Sequence, residues 1–428
     1  MNESIQQRRP GPIWTAIVCG MASYIDAASI VSWGTVLVIY QTLFHLTPGQ
    51  VGILSGTLTF SIAIGALSGG YLGDRFGRRR VFIITMIGVM IGVAGMILTS
   101  SFNLMLPLSA LVGLSTGADL PVSLTTIAET STNDKQRGTL LGLSQILWLF
   151  GMIGTAVLTI FVGNLGRPGA QIILSQIGVV AVLILLGRLS IPESAVWIEA
   201  KAANKSGMQT VEKVSVSHLF RASYLAPFVA LLLFYGLCNA AYNVVGQYGT
   251  YILVNVIKVS VSKASSVSLI TIPFGLAGSL LFMKTVRSKR RIIFFLLGAI
   301  VTAGGFLIPA VLGITLNNYL ISMLFMGFAN CFAGEAMMKT WCQESFPTMY
   351  RATAQGMVIA FGRVTAALFA FVVPLIIAFN TAALFFAMFA MCLVGGLIAW
   401  AVFRERDSQN ENVESVTVDS ERESAAAK

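Results

Sequence analysis

Five ionisable side chains interrupt the long apolar stretches of this chain: Asp26, Asp119, Glu335, Lys339 and Arg363. If those stretches lie in a bilayer, each charge near its centre costs about 2.5–3.5 kcal/mol even on insertion scales, so each needs a chemical reason. A carboxylate at that depth can take up and release a proton, or be fixed by nearby hydroxyls; for Asp26 these are Ser23 and Ser29. Asp26 falls about 13 residues into its apolar run, near the middle of the ~20 residues that a crossing needs. Asp119 lies deep in the fourth run, where it can titrate, pack or gate. Glu335 and Lys339 are four apart and share one helical face. They form an intrahelical ion pair that neutralises both, or a switch that frees Lys339 when a solute or proton arrives. Arg363 is always charged, and its fork suits carboxylates. It can bind an anionic solute, or serve as counter-ion to Glu335 or Asp119.

A set of polar and aromatic residues in the same runs offers a lining for a small solute: Tyr24, Trp33, Gln145, Trp148, Asn239, Tyr242, Asn243, Gln247, Asn330 and Trp341. Amides both donate and accept, and Trp or Tyr presents a flat apolar wall with a polar edge. Asn239, Asn243 and Gln247 recur every four residues, so they form one stripe. Such a stripe faces the solute, or hydrogen-bonds a neighbouring helix. Other chemistries have little footing. The five cysteines sit in or near apolar segments without C-x-x-C or zinc spacing, and there are two histidines. No phosphate-binding G-x-x-x-x-G-K-[ST] loop occurs. The chain is not expected to be an enzyme, and no cofactor or metal is expected. Work done by it must draw on an ion or solute gradient.

The elements that position these residues are membrane helices. Hydrophobic residues make up 56% of the chain and charged residues 11%, too little charge to cover a soluble protein of this size. The net charge of +10 does not indicate nucleic acid, because Lys and Arg fall in short loops between apolar runs. Twelve segments are expected to span: 13–39, 50–72, 80–100, 104–128, 138–162, 170–190, 222–250, 264–284, 291–313, 316–341, 353–378 and 381–403. With both termini cytoplasmic, the inside loops hold Arg75, Arg78, Arg79, Arg80, Arg137, Arg188, Lys284, Arg290, Arg291 and Arg351 among others. The outside loops then hold only Arg167, Lys258 and Lys263. Gly65, Gly69 and Gly73 form a small-residue ridge suited to close helix packing.

Four motifs resemble known ones. Gly70-Tyr71-Leu72-Gly73-Asp74-Arg75-Phe76-Gly77-Arg78-Arg79-Arg80, between the second and third segments, closely resembles the loop joining helices 2 and 3 of the major facilitator superfamily. Pro192-Glu193-Ser194 and Glu344-Ser345-Phe346-Pro347-Thr348-Met349-Tyr350-Arg351-Ala352 resemble segments after helices 6 and 10 of its sugar-porter and metabolite–proton symporter branches. Gly113 to Val122, leading to Glu129, resembles helix 4 of broad-range sugar and organic-acid transporters. The chain departs from dedicated sugar porters in helix 7, which lacks Q-Q-x-x-G-x-N. It departs from drug antiporters in helix 5, where no Pro follows Gly151 and Gly154.

The resemblance implies an all-α fold with two six-helix halves, 1–190 and 222–403. They are joined by a cytoplasmic linker, 191–221, and followed by a disordered tail, 404–428. It implies secondary transport by alternating access, with Asp26 matching the helix-1 carboxylate of sugar–proton symporters and Asp119 able to share its proton across the cavity. The expected solute contacts are Tyr24, Gln145, Trp148, Asn239, Asn243, Gln247, Asn330 and Arg363. By resemblance, Gly70, Asp74, Arg75, Gly77, Arg78, Glu129, Arg137, Glu193, Glu344 and Arg351 build the cytoplasmic gate. The expected function is proton symport of a small polar solute, sugar- or polyol-like or a small organic acid, by a monomer in the inner membrane. The partners are the solute, the proton and the lipid bilayer, with no nucleic acid. The alternatives are a proton antiporter that exports amphipathic compounds, and a membrane sensor that binds a solute without moving it.

Overall fold

Proline and glycine punctuation sets the helix ends. In the computed structural model α1 (Pro12–Phe44) starts with Pro at its first turn and ends on His45 in the left-handed region. Two residues later Thr47 and Gln50 form a reciprocal capping box that starts α2 (Pro48–Phe76). Gly77 alone separates α2 from α3 (Arg78–Leu98), with φ of 99°. A side chain there is strained, so this turn needs glycine. Next come α4 (Phe102–Thr130), α5 (Asp134–Val162), capped by the Asn133 side chain, and α6 (Arg167–Leu189). The second part of the chain holds α7 (Ala222–Asn255), α8 (Val261–Ile270), α9 (Ile272–Thr285), α10 (Arg291–Leu312), α11 (Leu316–Ala329), α12 (Glu335–Ser345) and α13 (Thr348–Ala426). The structure describes residues 11–131, 133–194, 197–198, 222–286, 288, 290–346 and 348–426. Most of the linker expected over 191–221 lies outside them.

Among the described residues, ten helical stretches are long and apolar enough to cross a membrane. One of them, Thr353–Arg404, runs for 52 residues, more than twice the ~20 that a crossing needs. Its backbone leaves the helix at Asn380 (φ −160°, ψ 103°), between the last two expected segments. The expected segment 316–341 is also not one helix. It stops at Ala329, unwinds through Asn330–Gly334 and restarts at Glu335. Gly334 is required there, because a Cβ would lie 2.4 Å from the Asn330 carbonyl oxygen. The expected segment 264–284 is likewise interrupted at Thr271, before Pro273. Resolving Thr353–Arg404 into two and joining α11 to α12 accounts for the twelve segments read from the sequence. The final helix continues through the polar tail to Ala426.

Packing divides the chain into two compact units. The first contains residues 1–213, 243–269 and 366–379. Its main seams are α2 on α4, α1 on α5 and α3 on α4. The ridge on α2 meets a matching pair on α4. A Cβ on Gly69 would lie 2.3 Å from the Ala118 carbonyl oxygen, and one on Gly117 would lie 2.2 Å from that of Ile62. The two backbones therefore touch with no side chain between them.

Within the same unit, the end of α7 lies against α1 and α2, and residues 366–379 lie against α7 and α2, through uncharged groups. The Thr59 hydroxyl donates to the Gln247 amide oxygen (3.0 Å), and the Gln247 amide donates to the Ser55 carbonyl (3.1 Å). Gln41 donates to the Tyr251 hydroxyl and accepts from Asn255. The Tyr248 hydroxyl donates to the Ala370 carbonyl. The second unit contains 214–242, 270–365 and 380–428. In it α11 packs on α10 and α9, and Trp341 is buried in an aromatic cluster with Phe234, Phe295 and Phe403. Trp341 is thus core rather than solute lining.

The α2–α4 seam makes a direct prediction. Gly69→Ala places a methyl against backbone that has no room to yield, a packing strain of about 1–3 kcal/mol. The purified protein in detergent should melt several degrees lower; an unchanged Tm would show that the helices are not in backbone contact.

Candidate functional site

Two of the charges buried in the first unit form a pair. Asp119 on α4 and Arg188 on α6 are each 1% exposed and meet in a bidentate ion pair. Ser123 accepts a further guanidinium hydrogen bond (2.8 Å), and Thr85 donates to Asp119 (3.0 Å). The Phe82 ring lies 4.4 Å from the guanidinium carbon. Two expectations change. Arg188 is not a loop cation at the membrane surface. Asp119 is committed to Arg188 rather than sharing a proton with Asp26. The sequence hid this because an arginine two residues from a helix end ordinarily reaches outward to the headgroups. Here it turns inward to a carboxylate that needs a charge partner.

Asp26 on α1 is 1% exposed, and Trp148 on α5 donates its indole N–H to the Asp26 carboxylate (3.4 Å). Trp148 itself is 37% exposed, and Gln145 one turn earlier is exposed as well. Tyr24 is engaged elsewhere. Its hydroxyl accepts from the Gln176 amide (2.6 Å), which also donates to Thr155 (3.4 Å), and Thr155 lies 3.5 Å from Ser32. This chain of amide and hydroxyls joins α1, α5 and α6. Gln176, Thr155 and Ser32 were not singled out from the sequence, where single polar residues among apolar ones carry little signal.

The stripe on α7 is largely spent on its neighbours. Gln247 is 1% exposed and held by α2, so it is removed from the expected solute contacts. Asn239 donates to the Gly362 carbonyl (2.9 Å). Asn243 differs, since its amide oxygen is buried without a hydrogen-bond partner. Asn330 ends α11 at the break, with its backbone N–H on the Met326 carbonyl.

In the second unit Glu335 and Lys339 pair at 2.6 Å, with side chains 50% and 38% exposed. The Tyr235 hydroxyl donates to Glu335 (3.2 Å). The charge of Arg363 acts on both Glu335 and Tyr235, so one cluster gathers four polar side chains from α7, α12 and α13. A partly exposed ion pair can open toward a polar solute at little cost.

The gate residues divide by unit. Arg78 pairs with Asp74 (2.5 Å) and Glu129 (2.9 Å). Glu193 does not pair with an arginine side chain in this turn. Its carboxylate accepts the backbone N–H groups of Arg78 (2.8 Å) and Arg79, capping α3 from a distance where no local residue does so. The Trp197 indole donates to the Asp74 carbonyl (2.7 Å). Arg75 leaves the cluster and lies over Tyr71 and Phe76. Gly70 has open space around it, and Arg137 is exposed on the first turns of α5. Glu344 pairs with Arg291 rather than Arg351, whose guanidinium donates to the Phe346 carbonyl (2.7 Å). The basic run after α9 thus provides a partner that the motif alone does not indicate. Among the described residues no group of three or more His, Cys, Asp or Glu side chains gathers as a metal site.

A bundle of apolar helices with buried charges near mid-span, and charged turns at the helix ends, defines a polytopic membrane transporter. The sequence profile of the Major Facilitator Superfamily matches residues 16–370, and the chain belongs to that family. The minor myo-inositol transporter IolF of Bacillus subtilis (strain 168) is 30% identical over 401 residues, covering 92% of this chain and 90% of that protein. The cis,cis-muconate transport protein of Acinetobacter baylyi is 27% identical over 352 residues, 81% of this chain and 83% of that one. Among solved structures, a D-xylose-proton symporter superposes with a TM-score of 0.74 at 19% identity, covering 90% of this chain and 97% of its own. The chain is a secondary transporter for small solutes, not an enzyme.

Two predictions follow from the ion pairs. Arg188→Met leaves Asp119 charged and unpaired, a loss of about 3–5 kcal/mol that should lower membrane yield and Tm. Adding Asp119→Leu should recover most of that loss; a double variant no better than the single one would show that the pair is not buried. Separately, Arg78→Ala or Asp74→Asn should lower the initial rate of uptake while the protein stays in the membrane, and a normal rate with either would remove this cluster from the gate.

Proposed function

We propose that this chain is a proton symporter of a small polyhydroxylated solute, of the cyclic polyol kind, working by alternating access. Asp26 carries the reading. It is an almost fully buried carboxylate near the midpoint of a 33-residue helix, joined to a tryptophan whose ring is still partly exposed. A group there can load a proton from one side and release it to the other. The similarity to a myo-inositol transporter over 92% of the chain supports the polyol. Trp148 supplies an apolar wall, and Gln145 and Asn243 supply amides for hydroxyl groups.

The halves 1–190 and 222–403 rock about the solute as a monomer in the cell (inner) membrane, with both termini cytoplasmic. The asymmetry of basic residues supports that orientation. Import is the direction of net transport.

A second reading, a small organic acid, is favoured by Arg363 and Lys339 beside Glu335, and by the muconate-transporting relative. Counterflow in proteoliposomes separates the two readings. Labelled myo-inositol should exchange, and muconate should compete poorly. Arg363→Gln should leave myo-inositol exchange within about twofold. Exchange of muconate that Arg363→Gln abolishes would establish the acid reading instead. Asp26→Asn should retain counterflow but lose at least tenfold in accumulation driven by a pH gradient; accumulation at the wild-type level would remove Asp26 as the proton carrier.

A further inference from the structure

The exposure of Trp148 points inward rather than to lipid. On α5 the residues Ile146, Phe150, Val157 and Phe161 form the exposed apolar stripe, the side suited to lipid. At about 100° per residue, Trp148 lies roughly opposite Ile146 and Phe150. It shares its side with Gly151 and Thr155, both buried. A Cβ on Gly151 would lie 2.4 Å from the Tyr24 carbonyl oxygen, so that side faces α1. A tryptophan on the packed face of a helix should be covered, yet this one is 37% exposed. It therefore borders an opening beside α1, and its indole N–H reaches the carboxylate of Asp26 behind it.

We infer that Trp148 is the positioning residue linking Asp26 to the solute, with its N–H holding the carboxylate and its exposed ring forming the solute wall. This rests on Asp26 as the proton carrier. A charged carboxylate is the stronger acceptor, so the indole is held while Asp26 is ionised. When hydronium delivers a proton, an O–H bond forms on Asp26, water departs, and the N–H···O bond weakens. The indole is then free to turn its edge to a solute hydroxyl and its face to the solute ring. Loss of the proton to water on the other side restores the first arrangement. The order of events is proton first and solute second, with a ring-bearing, hydroxylated solute as the matching chemistry.

The surrounding charges are few. Helix α5 carries Asp134, Lys135 and Arg137 at its start and no ionisable side chain after them, α2 carries Tyr71, Asp74 and Arg75 at its far end, and α1 adds Cys19, Tyr24 and Tyr40. On α4 and α6, Asp119 and Arg188 are bonded to each other, Glu129 is bonded to Arg78, and Arg167 lies over Phe44 near the opposite end. A change seen at Trp148 between about pH 5 and pH 8 is assigned to Asp26 by its loss in Asp26→Asn.

The test is intrinsic tryptophan emission of the detergent-purified full chain across that range, for wild type, Trp148→Phe and Asp26→Asn, without added solute. Wild type should show a pH-dependent change in emission, and both variants should lack it. A wild-type change that survives in Trp148→Phe, or no change in wild type, overturns the proposal. A change that is lost in Trp148→Phe but kept in Asp26→Asn shows that Trp148 senses another group, and Asp26 fails as carrier. Counterflow of myo-inositol gives a second readout that uses ring without N–H. The KM of wild type should rise several-fold from pH 6 to pH 8, whereas that of Trp148→Phe should stay within about twofold. If Trp148→Phe follows the wild-type profile while Asp26→Asn flattens it, the coupling role of Trp148 falls and the carrier role of Asp26 stands.

Discussion

A bilayer interior offers polar groups no water, and most of this structure follows from that constraint. Every amide, hydroxyl and charge placed in an apolar helix must find its partner inside the protein. Asp119 finds Arg188, Gln247 finds Ser55 and Thr59, Tyr24 finds Gln176, and Glu335 finds Lys339 and Tyr235. Each partnership ties two helices together or stiffens one. The same side chains that look like binding groups along the chain are thus also the fasteners of the bundle. The groups left accessible, chiefly Trp148 and Gln145, are fewer than the polar positions suggest.

Close packing is the second consequence. With no water to expel between lipid-facing helices, association depends on short-range contact, and backbones approach where glycines allow it. The seam between α2 and α4 shows this directly, with Gly69 and Gly117 each against a facing carbonyl. Such a seam is stiff. By contrast, α7 and the run Thr353–Arg404 each divide between the two compact units, at residues 242/243, 365/366 and 379/380.

The helix-ending turns illustrate how a motif differs from its geometry. The Gly70–Arg80 turn is recognisable by composition, and Gly77 adopts the positive φ that its position demands. The role of Glu193 was not visible, because a carboxylate 115 residues away from Arg78 caps α3 through backbone N–H groups rather than through an arginine side chain. Capping by a distant residue leaves no local pattern to read. Glu344 is similar. Its motif suggests Arg351, but the bidentate partner is Arg291, supplied by the run after α9.

Hydropathy determined the class of this protein, the number and approximate limits of its helices, and the small set of positions where charge enters the apolar interior. These are legible because a span is a local property: about 20 residues either are apolar or are not. The break between α11 and α12 was not legible, since Asn330 to Gly334 contains too few polar residues to interrupt an apolar run. Which polar residue faces a solute and which faces a neighbouring helix was decided only by tertiary structure. Asn239, Asn243 and Gln247 are evenly spaced, yet one bonds the Gly362 carbonyl, one buries its amide oxygen without a hydrogen-bond partner, and one is locked to α2. The sequence places them on one stripe. What lies opposite that stripe at each level depends on residues one to two hundred positions away, and no local pattern contains that distance.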